Sequence, residues 1–196
     1  MNYLITIIGP TAIGKTALSI DLAQHFGCDI ISCDSRQFFK EMKIGTAVPN
    51  DEELASATHH FIQNKSIFES YSVGDFEQEA LAKLDELFQK NNIQIMVGGS
   101  GLYVDAVLKG FDEKRIVEVC IGSRKPYASF SGKRKNARNF TPIVIGLEAD
   151  RELMYERINQ RVDIMLNEGL LAEAQSLYPN KHLNALQTVG YRELFD

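Results

Sequence analysis

Eight residues near the N-terminus have the types and the spacing of a phosphate-binding loop: Gly9, Pro10, Thr11, Ala12, Ile13, Gly14, Lys15 and Thr16. The pattern G-x-x-x-x-G-K-[ST] needs its glycines because the backbone must curl to turn successive N–H groups towards phosphate oxygens. Lys15 adds a positive charge, and the hydroxyl of Thr16 is predicted to bind Mg²⁺. An apolar strand before the loop and an amphipathic helix after it favour this interpretation over a glycine turn that matches by chance. The chain is therefore predicted to bind a di- or triphosphate.

A carboxylate and a hydroxyl follow two other predicted strands. Asp34 ends the strand predicted at 29–33, and Ser100 lies in a glycine-rich turn after the strand predicted at 93–97. Ligands of open parallel sheets bind outside the carboxyl ends of the strands, so Asp34 is predicted to share a crevice with the phosphate-binding loop. The alternatives are a helix N-cap role for Asp34 and a purely packing role for the turn at Ser100.

Two pairs of basic side chains are further candidates for chemistry. Arg157 and Arg161 lie four residues apart on a predicted helix, so they share one face and can close on a phosphate group. Surface ion pairs with Glu156 or Asp163 are an equally good reading of these arginines. The adjacent His59-His60 would point to opposite faces of a strand, so they are interpreted as structural or polar-contact residues rather than metal ligands.

Alternating strands and helices must position these residues. Buried strands are predicted at 3–8, 29–33, 93–97 and 141–147, and helices at 16–26, 51–57, 72–91, 102–108, from Asp150 through Met165, and at 168–178. The long helix is predicted to be capped by Asp150 and to carry an apolar stripe of Met154, Ile158, Val162 and Met165. This alternation predicts an α/β fold, with a P-loop NTPase-like parallel sheet flanked by helices. A chain of 196 residues is long enough to fill one such core.

Composition excludes several classes of protein. Apolar and charged residues make up 44% and 24% of the chain, and no apolar run approaches the roughly 18 residues that a membrane span needs. The first apolar run has no basic residues before it, so it is interpreted as a strand rather than a signal peptide. Three cysteines without a C-x-x-C pair favour a reducing cytoplasm over disulfides or zinc. We therefore expect a cytoplasmic protein with no membrane association.

The net charge of −5 is unevenly distributed along the chain. Between Lys114 and Arg138, eight Lys and Arg residues are accompanied by one acid, Glu118. A stretch of this composition fits a polyanion-binding surface and, equally, a solvated loop.

One residue common in P-loop proteins is missing. The strand predicted at 93–97 ends in Gly98-Gly99, whereas motor and signalling NTPases have an Asp at the corresponding place to help hold Mg²⁺. The guanine-reading sequence Asn-Lys-x-Asp does not occur either. These absences favour a transferase whose loop holds a phosphorylated donor or a leaving group. Two chemistries fit: phosphoryl transfer from ATP to a small acceptor, and displacement of pyrophosphate from an activated carbon.

Four sequence blocks make the chain resemble the tRNA dimethylallyltransferases, also called tRNA isopentenyltransferases. The blocks occur in the order of that family over nearly the whole chain, and the second is far more specific than the P-loop alone. They are Gly9 to Thr16; Ile31-Ser32-Cys33-Asp34-Ser35-Arg36-Gln37 with Ile44-Gly45-Thr46-Ala47; Val97-Gly98-Gly99-Ser100-Gly101-Leu102-Tyr103; and Arg157-Ile158-Asn159-Gln160-Arg161-Val162 with Gln187-Thr188-Val189-Gly190-Tyr191-Arg192.

The resemblance implies transfer of a dimethylallyl group from dimethylallyl diphosphate to the exocyclic amine of the adenosine just 3′ of a tRNA anticodon. By this resemblance, the loop residues through Thr16 hold the diphosphate, with Mg²⁺ bound at Thr16. Asp34 is the expected general base, because the aryl amine of adenine is a poor nucleophile. Ser100 stands where the family usually has Thr, and Arg161 is expected to stabilise the departing pyrophosphate. Asp34, Ser35, Arg36 and Gln37 are the residues expected to contact tRNA, whose target base must leave its stack.

The chain departs from the family pattern in one internal region. Family members usually carry a sizeable helical insertion that grips the anticodon stem-loop, whereas only about 30 residues join the helix predicted at 102–108 to the next strand. We expect residues 1–110 and 141–196 to form the catalytic core, and 111–140 to be the remnant of a basic tRNA-binding insertion that is truncated or partly absent. Family members also continue beyond Tyr191-Arg192 with more basic helix. The shortening bears on the grip on tRNA and leaves the diphosphate residues in place.

The expected partners are therefore the anticodon loop of tRNA and dimethylallyl diphosphate, with Mg²⁺ as cofactor and a monomer as the expected state. A P-loop small-molecule kinase that uses ATP is the alternative enzyme. A third possibility is a nucleotide- or RNA-binding module without turnover. The product of the reaction distinguishes the three.

Overall fold

The computed structural model describes residues 1–110 and 138–196. Within them, five parallel strands form one sheet: β1 (Asn2–Ile8), β2 (Ile30–Ser32), β3 (His59–His60), β4 (Ile93–Val97) and β5 (Phe140–Gly146). Their order across the sheet is β3-β2-β4-β1-β5. β1, which leads into the phosphate-binding loop, thus lies between β4 and β5. The predicted α/β fold with a parallel sheet is confirmed.

Seven α-helices accompany the sheet in the described part of the chain. They are α1 (Lys15–Phe26), α2 (Asp51–Ser56), α3 (Val73–Leu87), α4 (Gly101–Lys109), α5 (Arg151–Glu168), α6 (Leu170–Leu177) and α7 (Tyr191–Phe195). Local sequence explains several ends. The Ser72 hydroxyl accepts the Asp75 amide at the start of α3, and the Asp75 carboxylate accepts the Ser72 amide. Gly27 ends α1 in the left-handed conformation, with a φ of 62°.

The sheet separates two apolar layers because the side chains of a strand alternate between its faces. On β1, Leu4 belongs to the cluster that includes Phe76 of α3 and Val107 of α4. Ile5 and Ile7 belong to the cluster on the opposite face, which includes α1 residues. The strand that carries the phosphate-binding loop is therefore fixed from both sides.

A third apolar cluster joins the C-terminal segment to the loop that follows β2. Its members come from three regions of the chain: Phe39, Met42, Ile67, Ala174, Leu177, Ala185, Leu186, Tyr191 and Phe195. Tyr191 at the start of α7 is fully buried. This cluster holds α6 and α7 against the residues that connect β2 to α2.

The long helix α5 carries the predicted apolar stripe but buries little of it in the core. Met154 is its only buried residue, whereas Ile158, Val162 and Met165 line a crevice beside the phosphate-binding loop. The predicted stripe exists, but most of it borders a ligand-sized space rather than the core. Asp150 occupies the N-cap position without a side-chain capping bond, so the predicted capping bond is not formed. None of the described helices is long and apolar enough to cross a membrane.

Arg138 joins the two described parts of the chain just before β5. Its Nε donates to the Val107 carbonyl over 2.8 Å, and its Nη2 donates to the Ala106 carbonyl over 2.8 Å and to the Glu77 carboxylate over 2.6 Å. The ion pair with Glu77 is largely buried. The rest of the basic stretch that begins at Lys114, and most of the predicted insertion remnant at 111–140, lie outside the described residues.

The ends of β2 and β4 approach each other closely at Gly98. A Cβ added there would lie 2.6 Å from Cys33 Sγ and 2.9 Å from the Asp34 nitrogen, distances that no side chain tolerates. Cys33 is fully buried, and burial holds the pKa of its thiol far above the usual range. Glycine at position 98 therefore permits Asp34 to lie at the end of the strand next to β4.

We expect Gly98→Ala to lower the free energy of unfolding by roughly 1–3 kcal/mol, because the added methyl group overpacks the junction. Gly99→Ala is the matched control, since a Cβ at Gly99 meets nothing within 4 Å. Urea denaturation of both variants measures the difference. Equal stabilities for the two variants would contradict the close-packing explanation.

Candidate active site

The phosphate-binding loop leaves β1 and enters α1 through backbone conformations that favour glycine. Gly9 has a φ of 155° and Gly14 a φ of 101°, and a Cβ on Gly9 would lie 2.8 Å from the Leu147 carbonyl oxygen. Ala12 also has a positive φ, 62°, which costs free energy and is typical of functional loops. Gly14 is the N-cap of α1, so the first backbone N–H groups of this helix open towards the loop.

Lys15 lies folded over its own loop. Its Nζ donates to the carbonyl oxygens of Gly9, over 2.9 Å, and Pro10, over 2.7 Å. Burial lowers the pKa of Lys15 from its usual value, and the charge of Arg161 lowers it further, whereas the Asp34 carboxylate acts in the opposite direction. The ammonium group is therefore ordered, and it lies close enough to Asp34 and Arg161 for their charges to change its pKa.

A crevice of about 1030 Å³ opens beside this loop. The predicted residues that line it are Thr11, Ala12, Ile13, Gly14, Lys15, Thr16, Asp34, Arg36, Gln37 and Arg161. Gly9, Pro10, Ser35 and Ser100 are not among the described residues of its wall. The structure thus brings together most of the predicted site, from three separate regions of the sequence.

Asp34 follows β2 in a turn rather than at the start of a helix. Its Oδ1 accepts the backbone N–H of Arg36 over 3.0 Å, and residues 35–38 form turns, so the N-cap alternative does not apply. Within the described part of the chain, Oδ2 has no hydrogen bond. One oxygen holds the carboxylate in place, and the other remains available to accept a proton.

Ser100 braces the neighbouring turn. The Ser35 backbone N–H donates to Ser100 Oγ over 3.1 Å, and the Ser100 hydroxyl lies 3.0 Å from Ser35 Oγ. Ser35 lines a second, small cavity of about 80 Å³ together with Tyr71 and Tyr103. The hydroxyl of Ser100 is therefore positioned to fix the residue that follows Asp34.

Arg36 and Gln37 are both engaged with backbone carbonyl groups. The Arg36 Nη1 donates to the carbonyl oxygens of Asn184 and Ala185, each over 3.0 Å. The Gln37 Nε2 donates to Thr46 over 3.2 Å and to Ala47 over 2.8 Å. Both side chains line the crevice while tying distant segments to the end of β2.

The two arginines of α5 point towards the phosphate-binding loop. Arg157 Nη1 lies 3.4 Å from the Ile13 carbonyl oxygen, and both arginines line the crevice. Neither arginine pairs with Glu156 or Asp163 among the residues that the structure describes. Their placement favours the phosphate-closing interpretation over surface ion pairing.

The described residues offer no protein cage for a metal ion. No group of three or more His, Cys, Asp or Glu side chains in 1–110 and 138–196 is arranged to bind one. His60 Nε2 lies 2.8 Å from Asp29 Oδ2, and His59 Nδ1 lies 2.8 Å from the Ala57 carbonyl oxygen, in agreement with their interpretation as polar-contact residues. Thr16 contributes a hydroxyl to the crevice, and Mg²⁺ bound to phosphates commonly needs only one or two protein ligands.

Two features of the crevice escaped sequence reasoning. The loop at 43–48 lines the crevice and includes the apolar residues Ile44, Ala47 and Val48, in addition to Ile13 and the apolar stripe of α5. This loop is held by Glu173, whose side chain binds three of its backbone amides. The only sequence signal is that Glu173 is the single charged residue of α6, Leu170–Leu177.

Comparison with known proteins places this geometry in one family. The family model described as IPP transferase matches residues 37–115 and 112–196. A tRNA dimethylallyltransferase of Flavobacterium psychrophilum is 64% identical over 248 aligned positions, which cover 100% of this chain and 81% of that protein. A tRNA dimethylallyltransferase of Flavobacterium johnsoniae is 61% identical, over an alignment that covers 100% of this chain and 80% of that protein.

Solved structures agree with the sequence comparisons. A tRNA delta(2)-isopentenylpyrophosphate transferase from Staphylococcus epidermidis superposes with a TM-score of 0.81 at 30% identity, over 99% of this chain and 80% of that one. The full-length tRNA isopentenylpyrophosphate transferase from Bacillus halodurans gives a TM-score of 0.82 at 32% identity, over 100% of this chain and 77% of that one. The resemblance inferred from the four sequence blocks is confirmed. The chain belongs to the IPP transferase family, whose named members here are tRNA dimethylallyltransferases.

Proposed function

We propose that this chain transfers a dimethylallyl group from dimethylallyl diphosphate to N6 of the adenosine 3′ of the anticodon in tRNA, and releases diphosphate. Family membership makes it a tRNA-prenylating transferase. The observation that supports the finer assignment is one crevice that combines the phosphate-binding loop, the Asp34 carboxylate and an apolar wall. A diphosphate ester with a short hydrocarbon tail needs both the polar and the apolar part.

The proposed step exchanges one bond at carbon for another. The N6 lone pair of adenosine forms a bond to C1 of the donor, the C1–O bond breaks, and the diphosphate leaves with the electron pair. Asp34 takes the proton that N6 loses, through the carboxylate oxygen that lacks a hydrogen bond. Lys15 and Arg161 stabilise the negative charge that gathers on the diphosphate as it departs. Holding both reactants in one crevice supplies much of the rate enhancement.

We propose that Mg²⁺ accompanies the diphosphate and is held on the protein side by the Thr16 hydroxyl. The absence of an acidic cluster in the described residues fits this arrangement, because the diphosphate oxygens then provide most of the ligands. When bound, the ion neutralises charge on the leaving group.

We propose that residues 1–110 and 141–196 are the catalytic core and that 111–140 is a shortened tRNA-binding insertion. The family model matches in two pieces that meet at 112–115. The alignment with the Flavobacterium psychrophilum protein has 248 positions, 52 more than the 196 residues of this chain. We propose that the enzyme acts as a monomer, and its tRNA substrate supports a cytoplasmic location.

A direct assay tests the proposed function. The purified chain is incubated with unmodified tRNA, dimethylallyl diphosphate and Mg²⁺, and nucleosides are analysed for prenylated adenosine. We expect modification at the adenosine 3′ of the anticodon and none when the donor is omitted. Formation of ADP from ATP with a small acceptor, and no prenylated adenosine, would instead identify a kinase.

We expect Asp34→Asn to lower turnover by about 10²–10⁴-fold, because the amide cannot accept the proton. The binding constant for dimethylallyl diphosphate should stay within about threefold, since the amide oxygen can still accept the Arg36 amide. Single-turnover kinetics and equilibrium donor binding measure the two effects. The exposed Asp21→Asn on α1 is the matched control and should leave both unchanged. Equal losses in turnover and donor binding would count against a role as base.

We expect Lys15→Met to weaken the binding of inorganic pyrophosphate by roughly 10- to 100-fold, because a hydrogen bond to a charged group is lost. Isothermal titration calorimetry measures this affinity. Lys90→Met is the control, since Lys90 lies exposed just after α3 and its ion pair within the described part of the chain is with Glu86. If Lys15→Met binds pyrophosphate as tightly as the wild type, the result would contradict a phosphate-binding role for Lys15.

We expect Arg161→Gln to lower kcat by about 10²-fold with a much smaller rise in KM for dimethylallyl diphosphate, because the charge that it stabilises develops in the transition state. Arg157→Gln is the comparison on the same helix face and should cost less, since Arg157 already contacts the Ile13 carbonyl. Steady-state kinetics with saturating tRNA separate the two constants. A larger loss of kcat in Arg157→Gln than in Arg161→Gln would indicate that Arg157, rather than Arg161, stabilises the departing diphosphate.

A further inference from the structure

The carboxylate of Glu173 binds three successive backbone amides. Its Oε2 accepts the N–H groups of Lys43, over 3.0 Å, and Ile44, over 2.9 Å, and its Oε1 accepts that of Gly45 over 2.9 Å. Bonds between an ionised carboxylate and N–H groups are about twice as strong as neutral ones. One side chain on α6 thus fixes the backbone of a loop about 130 residues earlier in the chain.

Tyr191 binds the same carboxylate of Glu173 and packs against the same loop. Its hydroxyl donates to Glu173 Oε1 over 2.5 Å, and burial together with the adjacent carboxylate holds the pKa of this phenol above its usual range. The ring packs against Gly45, where an added Cβ would lie 2.6 Å from the Tyr191 ring. The loop therefore has no room to shift towards α7.

The same loop also lines the crevice. Gln37 donates to the carbonyl oxygens of Thr46 and Ala47, and residues 43–48 line the crevice. Glu173 and Tyr191 do not line it among the described residues. The loop is thus a layer between the Glu173–Tyr191 pair on its outer side and Gln37 on its inner side.

We propose that Glu173 and Tyr191 are positioning residues for the transfer reaction, which act through the loop at 43–47 on Gln37 and on the apolar wall of the crevice. This inference rests on the proposed function. Gln37 is among the residues that we expect to contact tRNA, and its carboxamide is oriented by the two carbonyl groups of this loop. The reacting groups need a geometry fixed to a fraction of an ångström, so release of the loop should slow the reaction without removing the phosphate-binding loop.

The test compares Glu173→Gln and Tyr191→Phe with a matched control, Glu41→Gln. The Glu41 carboxylate also binds a neighbouring loop, through the Ser66 hydroxyl and the Ile67 amide, but neither group lines the crevice. We expect Glu173→Gln to lower kcat/KM for tRNA by about tenfold or more. Its affinity for inorganic pyrophosphate should remain within about twofold of wild type, because the loop at 9–16 is untouched. Tyr191→Phe removes one of the four bonds and should cost less.

A double-mutant cycle sharpens the comparison. The losses of Glu173→Gln and Tyr191→Phe should be less than additive in kcat/KM, since both variants release the same loop. Glu41→Gln combined with Glu173→Gln should instead be additive. Additive losses for the Glu173 and Tyr191 variants, or a loss in Glu41→Gln as large as that in Glu173→Gln, would overturn the inference.

A second readout needs no turnover. Hydrogen exchange of the amides at 43–45 should become faster in Glu173→Gln and stay unchanged in Glu41→Gln. If wild type fails to prenylate tRNA while this acceleration is seen, the proposed function fails and the placement of the loop by Glu173 stands. Unchanged exchange in Glu173→Gln, or parallel losses of pyrophosphate affinity and kcat/KM, overturns the inference whatever the activity of wild type.

Discussion

The close approach between the ends of β2 and β4 is the constraint on which the crevice depends. Gly98 lies against the Cys33 side chain and the Asp34 backbone, so no side chain separates the two strand ends. β4 in turn pairs with β1, which leads into the phosphate-binding loop. Asp34 is thereby only two strands away from the loop. A wider junction would move the carboxylate away from the phosphate-binding loop, and the proposed reaction requires both groups at one point.

The phosphate-binding loop is held in shape by contacts within the protein. Lys15 is held by two carbonyl groups of its own loop, so little side-chain entropy remains to be lost on binding. The helix that starts at Lys15 and the positive φ values of Gly9, Ala12 and Gly14 fix the backbone around it. The positive φ of Ala12 costs free energy, and the packing of the surrounding residues offsets this cost.

Sequence reasoning succeeded where local patterns decide the structure. The apolar runs predicted β1 and β4, and apolar periodicity predicted α3, because these signals lie within a few neighbouring residues. It did not reveal that the apolar stripe of α5 borders the crevice, since periodicity reveals an apolar face but not what covers it. It also missed Glu173, which contacts backbone groups far away in sequence and leaves no local pattern.

Arg138 has a consequence for how this family can change. Its bonds to Ala106, Val107 and Glu77 connect the start of β5 to α3 and α4, close to the point where the chain leaves α4. Lengthening the intervening segment then costs only about 0.6 kcal/mol for each doubling, the entropy of closing a longer loop. The two parts of the family match overlap at 112–115, inside this interval. The length of the proposed tRNA-binding insertion can therefore change in evolution without disturbing the packing that Arg138 maintains in the proposed catalytic core.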